Sequence, residues 1–105
     1  MILYRLALDY DDCPLEFVLF EAVRLKDGVH LDIYRSSENC YHIRASESLS
    51  WEHAIEIIET SNCSQAYKDF CKRVQRIPIR TSRKVWYNPD GIKLIKGSPV
   101  KILSL

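Results

Sequence analysis

Residues 29–44, VHLDIYRSSENCYHIR, decide the fold. Their first half alternates apolar and polar side chains, which is the pattern of a strand with one buried face. A three-residue loop at residues 37–39 then sets apolar opposite apolar and acid opposite base. The pairs in this register are Ile33 with Ile43, Tyr34 with His42, and Asp32 with Arg44. Because one register satisfies all three pairs, we predict an antiparallel hairpin that includes an Asp32–Arg44 ion pair.

The preceding stretch, residues 15–25, fits two structures. Its apolar residues form a helical stripe, and several of them also fit one face of a strand that Glu21 interrupts. The tripeptide at residues 26–28, Lys-Asp-Gly, favours the strand, because glycine takes the left-handed conformation that a three-residue hairpin loop requires. The resulting pairs are Leu25 with Val29 and Val23 with Leu31. We therefore predict a hairpin here, and a helix over residues 15–26 is the alternative.

Two helices are predicted after residue 49. Ser50 can accept a hydrogen bond from a free backbone N–H group, so it caps a helix from Trp51 to about Thr60. The inward side chains of this helix are predicted to be Trp51, Ala54, Ile55 and Ile58, and the outward ones Glu52, Glu56 and Glu59. A second helix is predicted from about Ser64 to Gln75, with Tyr67, Phe70, Cys71 and Val74 at helical spacing.

Strands are predicted at both ends of the chain. The apolar run Ile2–Leu8 suits a central strand, and the Asp- and Pro-rich residues 9–14 break it. Residues 84–95 predict a hairpin with Pro89-Asp90-Gly91 at its tip, and residues 99–105 predict a last strand. These elements predict an α+β fold, a single-domain sandwich over residues 1–105, in which two helices pack on one face of a mainly antiparallel sheet.

The composition is typical of an ordered protein, since 47% of the 105 residues are hydrophobic and 28% are charged. The apolar runs are far shorter than the roughly 20 residues that a membrane helix needs. The N-terminus also lacks the basic lead of a signal peptide. We therefore expect a cytoplasmic protein without a membrane partner.

The cysteines and histidines do not follow a metal-binding pattern. Structural zinc sites bring their ligands in close pairs, and the only close pair here is Cys40 with His42. The candidates are Cys13, Cys40, Cys63 and Cys71, with His30, His42 and His53. We expect reduced and mostly buried thiols, no metal and no cofactor.

Charge divides the chain into two halves. Residues 1–60 hold twelve acidic and five basic residues, for a net charge of −7, and residues 61–105 hold two and ten, for a net charge of +8. The basic residues concentrate in a segment without acids, at Lys72, Arg73, Arg76, Arg80, Arg83 and Lys84. Clustered Lys and Arg bind phosphates of any nucleic-acid sequence, so RNA or DNA binding is one alternative. The pI of about 7.7 and the lack of a recognition motif weigh against it.

Two groups of acidic residues are candidates for contacts with a partner protein. The first is Asp9, Asp11, Asp12 and Glu16, and the second is Glu52, Glu56 and Glu59. A solvated acidic surface is the simplest interpretation, and a plug for the basic cleft of a nuclease is another, because complementary potentials speed association. A magnesium site would require carboxylates that converge from separate elements.

A catalytic role has little support in the sequence. Nucleophilic catalysis needs a Cys or Ser beside an oriented His, and no such arrangement stands out. The polar face of the predicted sheet carries His30 and His42, so a small hydrolase that uses this face is the least favoured alternative. We expect no catalytic residues and no enzymatic activity.

In size and charge the chain resembles the small bacterial immunity proteins of contact-dependent inhibition systems. The stretches that carry the resemblance are LDYDDCPLE, residues 8–16, and WEHAIEIIE, residues 51–59. The resemblance implies a non-catalytic inhibitor that binds one toxin domain, often a nuclease, and blocks its active site. The two acidic groups would then contact the toxin. The main contacts would be Asp9, Asp11, Asp12 and Glu16, and the secondary contacts Glu52, Glu56 and Glu59.

Overall fold

The computed structural model describes residues 2–26, 28–79, 84–96 and 98–105. Its elements are β1 (Tyr4–Tyr10), α1 (Leu15–Leu25), β2 (Leu31–Ser37), β3 (Cys40–Leu49), α2 (Trp51–Thr60), α3 (Gln65–Val74), β4 (Lys84–Tyr87), β5 (Lys93–Lys96) and β6 (Val100–Ser104). Four strands form an antiparallel sheet in the order β1-β3-β2-β6, and β4 and β5 form a separate ribbon. The α+β class is therefore as predicted, but the described residues contain three helices where two were predicted.

The β2–β3 hairpin has the predicted register from Leu31 to Arg35, but its loop is shorter than predicted, because Ser37 pairs with Cys40 after an irregularity at Ser36. The pairs Ile33 with Ile43, Tyr34 with His42, and Asp32 with Arg44 are all present. Asn39 takes the left-handed conformation in the turn, with φ of 57°. The carboxylate of Asp32 lies 3.7 Å from the ammonium of Lys101 on β6, and the Arg44 guanidinium stacks 4.1 Å from the centre of the Tyr34 ring.

Residues 15–25 form helix α1, so the hairpin predicted there is wrong. Val18, Ala22 and Leu25 are buried at helical spacing, and Glu21, which would interrupt a strand face, is buried beside them. Gly28 has a φ of 74°, but it serves the connection from α1 to β2 rather than a hairpin loop. Asp27, part of the predicted loop, lies outside the described residues.

Strand β1 lies at the edge of the sheet, and not at its centre as predicted. It extends to Tyr10 and pairs with β3 on one side. The start of α3 covers the other side, because the Tyr67 hydroxyl donates to the Ala7 carbonyl at 2.7 Å and the Ser64 N–H donates to the Asp9 carbonyl at 3.4 Å. Because α3 covers this edge of β1, an apolar strand can lie at the edge of the sheet.

The apolar face of the sheet packs against α1 and α2 in one core. The largest fully buried apolar side chains in it are Leu6, Leu8, Tyr10, Leu31, Ile33, Ile43 and Ile58. Helix α2 begins after Ser50 as predicted, with the Ser50 side chain accepting from the His53 N–H at 3.2 Å. Its buried residues are Ala54, Ile57 and Ile58, whereas Trp51 and Ile55 are half-buried.

The C-terminal strands lie at the predicted positions, but β4 and β5 form a ribbon of their own instead of joining one sheet as predicted. In the ribbon, Asn88 accepts hydrogen bonds from the backbone of Asp90 and Ile92, and Gly91 has a φ of 78° at the tip. Strand β6 pairs with β2 and is irregular at Ile102. No helix among the described residues has the length and apolarity that crossing a membrane requires.

Candidate functional site

The acidic turn, defined here as Asp11, Asp12 and Glu16, connects β1 to α1 at one end of the sheet. All three residues are exposed. The Cys13 N–H donates to the Asn39 carbonyl at 3.0 Å, and the Cys13 thiol donates to the Asp11 carbonyl at 3.3 Å. The acidic turn is thus held against the β2–β3 turn, and three carboxylates are presented from a hydrogen-bonded backbone.

The local sequence explains the shape of the acidic turn. Asp12 has a φ of 55°, a conformation that Asp tolerates better than most residues. Pro14 stands at the N-cap of α1, where its missing N–H group costs little. Glu16 lies in the first turn of α1, where the helix dipole favours a negative charge. The same residues that bend the chain therefore also concentrate its negative charge.

Asp9 belongs to a different part of the surface. Its carboxylate lies 3.7 Å from the His42 imidazole nitrogen Nδ1 on the polar face of the sheet, and its side chain is 31% exposed. Register places Asp9, His42, Tyr34 and Lys101 in one row across β1, β3, β2 and β6. The structure thus brings together three members of the first acidic group and separates the fourth from them.

The second acidic group lies along the outer face of α2. Glu52, Glu56 and Glu59 are exposed, as predicted. Glu59 forms an ion pair with Lys72 of α3 at 3.0 Å, and the Lys68 ammonium donates to the Glu59 and Ser61 carbonyls. Basic side chains of α3 therefore partly neutralise one end of this group.

The structure describes only part of the basic segment, residues 72–84. Lys72, Arg73 and Arg76 are exposed on and after α3. A hydrogen bond from Lys72 to Glu59, and the charge of that carboxylate, raise the pKa of Lys72. Arg80, Arg83 and the side chain of Lys84 lie outside the described residues. At least one cation of the proposed nucleic-acid surface is thus engaged with an acid of this chain.

The two histidines of the alternative catalytic face do not lie together. His42 is opposite Tyr34, which is four residues after His30, so the two histidines are about 13 Å apart along the strand direction. The backbone N–H of His30 donates to the Glu47 carboxylate at 3.3 Å, and its ring lies 3.4 Å from the Leu105 carbonyl. Across the part of the chain that is described, no three Cys, His, Asp or Glu side chains converge as metal ligands would.

The sequence did not indicate the role of Glu21, whose side chain is fully buried. Its oxygen Oε1 accepts from the Tyr10 hydroxyl at 3.0 Å and the Asn62 backbone at 2.6 Å, and Oε2 accepts from Arg24 at 2.7 Å. The Asn62 side chain donates as well, at 3.1 Å. Burial acts to raise the pKa of Glu21, but these hydrogen bonds outweigh it and the pKa is lowered.

This carboxylate network ties three segments together, and one of them, the end of β1, leads directly into the acidic turn. It joins the end of β1, the middle of α1 and the α2–α3 connection through Tyr10, Arg24 and Asn62. The sequence could have indicated this role, because Glu21 stands within the apolar stripe of a helix. An acid that is buried there requires several hydrogen-bond partners. We interpret Glu21 as a structural residue that positions the two ends of the acidic turn.

No protein-family model matches the sequence, and no curated protein or solved structure matches it either.

Proposed function

We propose that this protein is a non-catalytic binding module that inhibits a basic partner, of the kind formed by immunity proteins and the toxin domains they neutralise. The acidic turn would cover the active site of the partner in a one-to-one complex. A nuclease domain suits this description, because its active site attracts phosphate and therefore also attracts carboxylates.

The observation that carries the proposal is the presentation of the acidic turn. Its three exposed carboxylates stand on a backbone that is hydrogen-bonded to the β2–β3 turn. Groups that are already ordered lose less conformational entropy on binding, so they contribute more to affinity. Glu38 of the β2–β3 turn is also exposed and adds a fourth carboxylate at the same end of the sheet.

The α2 acids are the weaker candidate within the same proposal. Glu59 already has a cationic neighbour, so a partner would have to displace Lys72 before it could use this carboxylate. Glu52 and Glu56 remain as secondary contacts on the exposed face of α2. The acidic turn, with three exposed acids and Glu38 beside them, is the surface to test first.

The test begins with capture of the partner by tagged protein from its source cells, with and without added nuclease. The association rate of the captured partner is then measured with Asp11→Lys and Asp12→Lys. We expect each substitution to slow association roughly tenfold at low salt and less at high salt, because charge at the rim of an interface acts mainly on the encounter rate.

Asp90→Lys is the matched control. It makes the same change of charge at an exposed position on the tip of the ribbon, outside both acidic groups. An equal slowing by Asp90→Lys would mean that net charge alone matters, and unchanged rates for the Asp11 and Asp12 variants would refute the proposal. If the capture recovers nucleic acid but no protein partner, and nuclease treatment removes that nucleic acid, the basic segment would be the functional surface.

A further inference from the structure

Two cysteines lie on the two segments that hold the acidic turn in place. Cys13 follows the acidic residues, and its N–H donates to the carbonyl of Asn39, the residue directly before Cys40. Peptide bond lengths and the 3.0 Å hydrogen bond place the two Cα atoms at most about 7 Å apart. Disulfides join Cα atoms that are about 4.4–6.8 Å apart, so the backbone allows a bond here.

The side chains also meet the requirements for thiol exchange. Cys13 is partly exposed, so a small reagent can reach its sulfur, whereas Cys40 is buried, at 9% exposure. Burial raises the pKa of the Cys13 thiol, and the charges of Asp11 and Asp12 and the neighbouring Cys40 raise it further.

We propose that Cys13 and Cys40 form a reversible disulfide by exchange with a low-molecular-weight disulfide, and that this bond locks the acidic turn onto the β2–β3 hairpin. The Cys13 thiolate attacks one sulfur of the reagent, breaks its S–S bond and releases one thiol. The Cys40 thiolate then attacks the Cys13 sulfur of the mixed disulfide and releases the second thiol. Two protein thiols lose two electrons and two protons, and the reagent takes them up.

The raised pKa of Cys13 makes this exchange slow at neutral pH, because the thiolate is the nucleophile. Below that pKa the thiolate fraction grows about tenfold for each pH unit, so the rate of closure grows by about the same factor. A slow reaction of this kind would follow sustained changes of redox conditions rather than brief ones. Its effect on partner binding rests on the proposed function, but the bond itself does not.

The experiment uses oxidised glutathione as the probe and the folded chain in native buffer. After alkylation of the remaining thiols and digestion with trypsin, each cysteine lies on its own peptide: residues 6–24, 36–44, 45–68 and 69–72. We expect one cross-linked product, which joins 6–24 to 36–44 with the loss of two hydrogens. We also expect a rise in Tm of roughly 10 °C that a thiol reductant reverses.

Cys13→Ser is the first control, because Cys13 is only partly buried and serine is similar in size; this variant should show neither the cross-link nor the rise in Tm. Cys40→Ala should leave Cys13 as a stable mixed disulfide. A mixed disulfide on wild-type Cys13 that never closes, a cross-link between Cys63 and Cys71 in its place, or closure only in denaturant would overturn the proposal. If the bond forms but the association rate with the partner is unchanged, the disulfide stands and only its role in binding is refuted.

Discussion

Glu21 joins the end of β1, which leads into the acidic turn, to the α2–α3 connection. A buried carboxylate is costly unless hydrogen bonds compensate for the lost water, and here Tyr10, Arg24 and Asn62 provide them. Each donor comes from a different part of the chain, so the network exists only in the folded state. Its loss should therefore appear directly in the free energy of unfolding.

We expect Glu21→Ala to lower the free energy of unfolding by about 3 kcal/mol, because it leaves the Tyr10 hydroxyl and the Asn62 N–H without their acceptor at about 1–3 kcal/mol each. Urea denaturation measures the change. Glu16→Ala, an exposed acid on the same helix, is the control and should cost no more than about 0.5 kcal/mol. Similar losses for the two variants would contradict a special role for Glu21.

The lowered pKa of Glu21 also predicts how stability depends on pH. The folded-state pKa lies below the ordinary value of 4.5, so the unfolded chain takes up the proton first as the pH falls. The stabilisation is therefore complete above about pH 5 and is lost as the pH falls through the folded-state pKa. Glu21→Gln does not titrate, so the difference in stability between wild type and variant should shrink as the pH falls below about 5. Parallel stability curves would contradict the assignment.

At the scale of elements, local pairing rules predicted the β2–β3 hairpin correctly, because register there depends on neighbours within a few residues. They failed for α1, where the same apolar residues satisfy a strand and a helix. What decides between the two is the contact of α1 with β2 and β3 and the partners of Glu21, which come from residues 10 and 62. No window of neighbouring residues contains that information.

The two serines at the helix starts allow a matched test of capping. The Ser50 side chain accepts from the His53 N–H, whereas Ser64 stands at the N-cap of α3 without such a hydrogen bond. We expect Ser50→Ala to cost about 1 kcal/mol and Ser64→Ala only a few tenths. Thermal or urea unfolding of both variants measures the difference. Equal costs would show that the side-chain cap of α2 contributes nothing.

At the scale of the molecule, the acidic and basic halves of the sequence meet where α3 lies beside α2. Lys68 and Lys72 contact the end of α2 at Glu59 and Ser61. Some basic side chains of the second half of the sequence thus neutralise acidic side chains of the first half. The three residues of the acidic turn, at the connection of β1 to α1, are exposed.

The location of the candidate site could be predicted only in part. The crowding of Asp11, Asp12 and Glu16 is visible in the sequence, because these residues are close neighbours along the chain. The separation of Asp9 is not, because it depends on the pairing of β1 with His42 on β3. The approach of Cys13 to Cys40 depends likewise on a tertiary hydrogen bond to Asn39.

The pairing of β2 with β6 has a consequence for synthesis on the ribosome. Strand β2 ends at Ser37 and β6 begins at Val100, so more than sixty residues are translated between them. At about 5–20 residues per second, the outer edge of β2 waits roughly 3 to 13 s for its partner. During that time a half-finished sheet presents an open backbone edge to other nascent chains. Nascent chains should therefore need chaperones most when α3 has emerged from the ribosome but β6 has not.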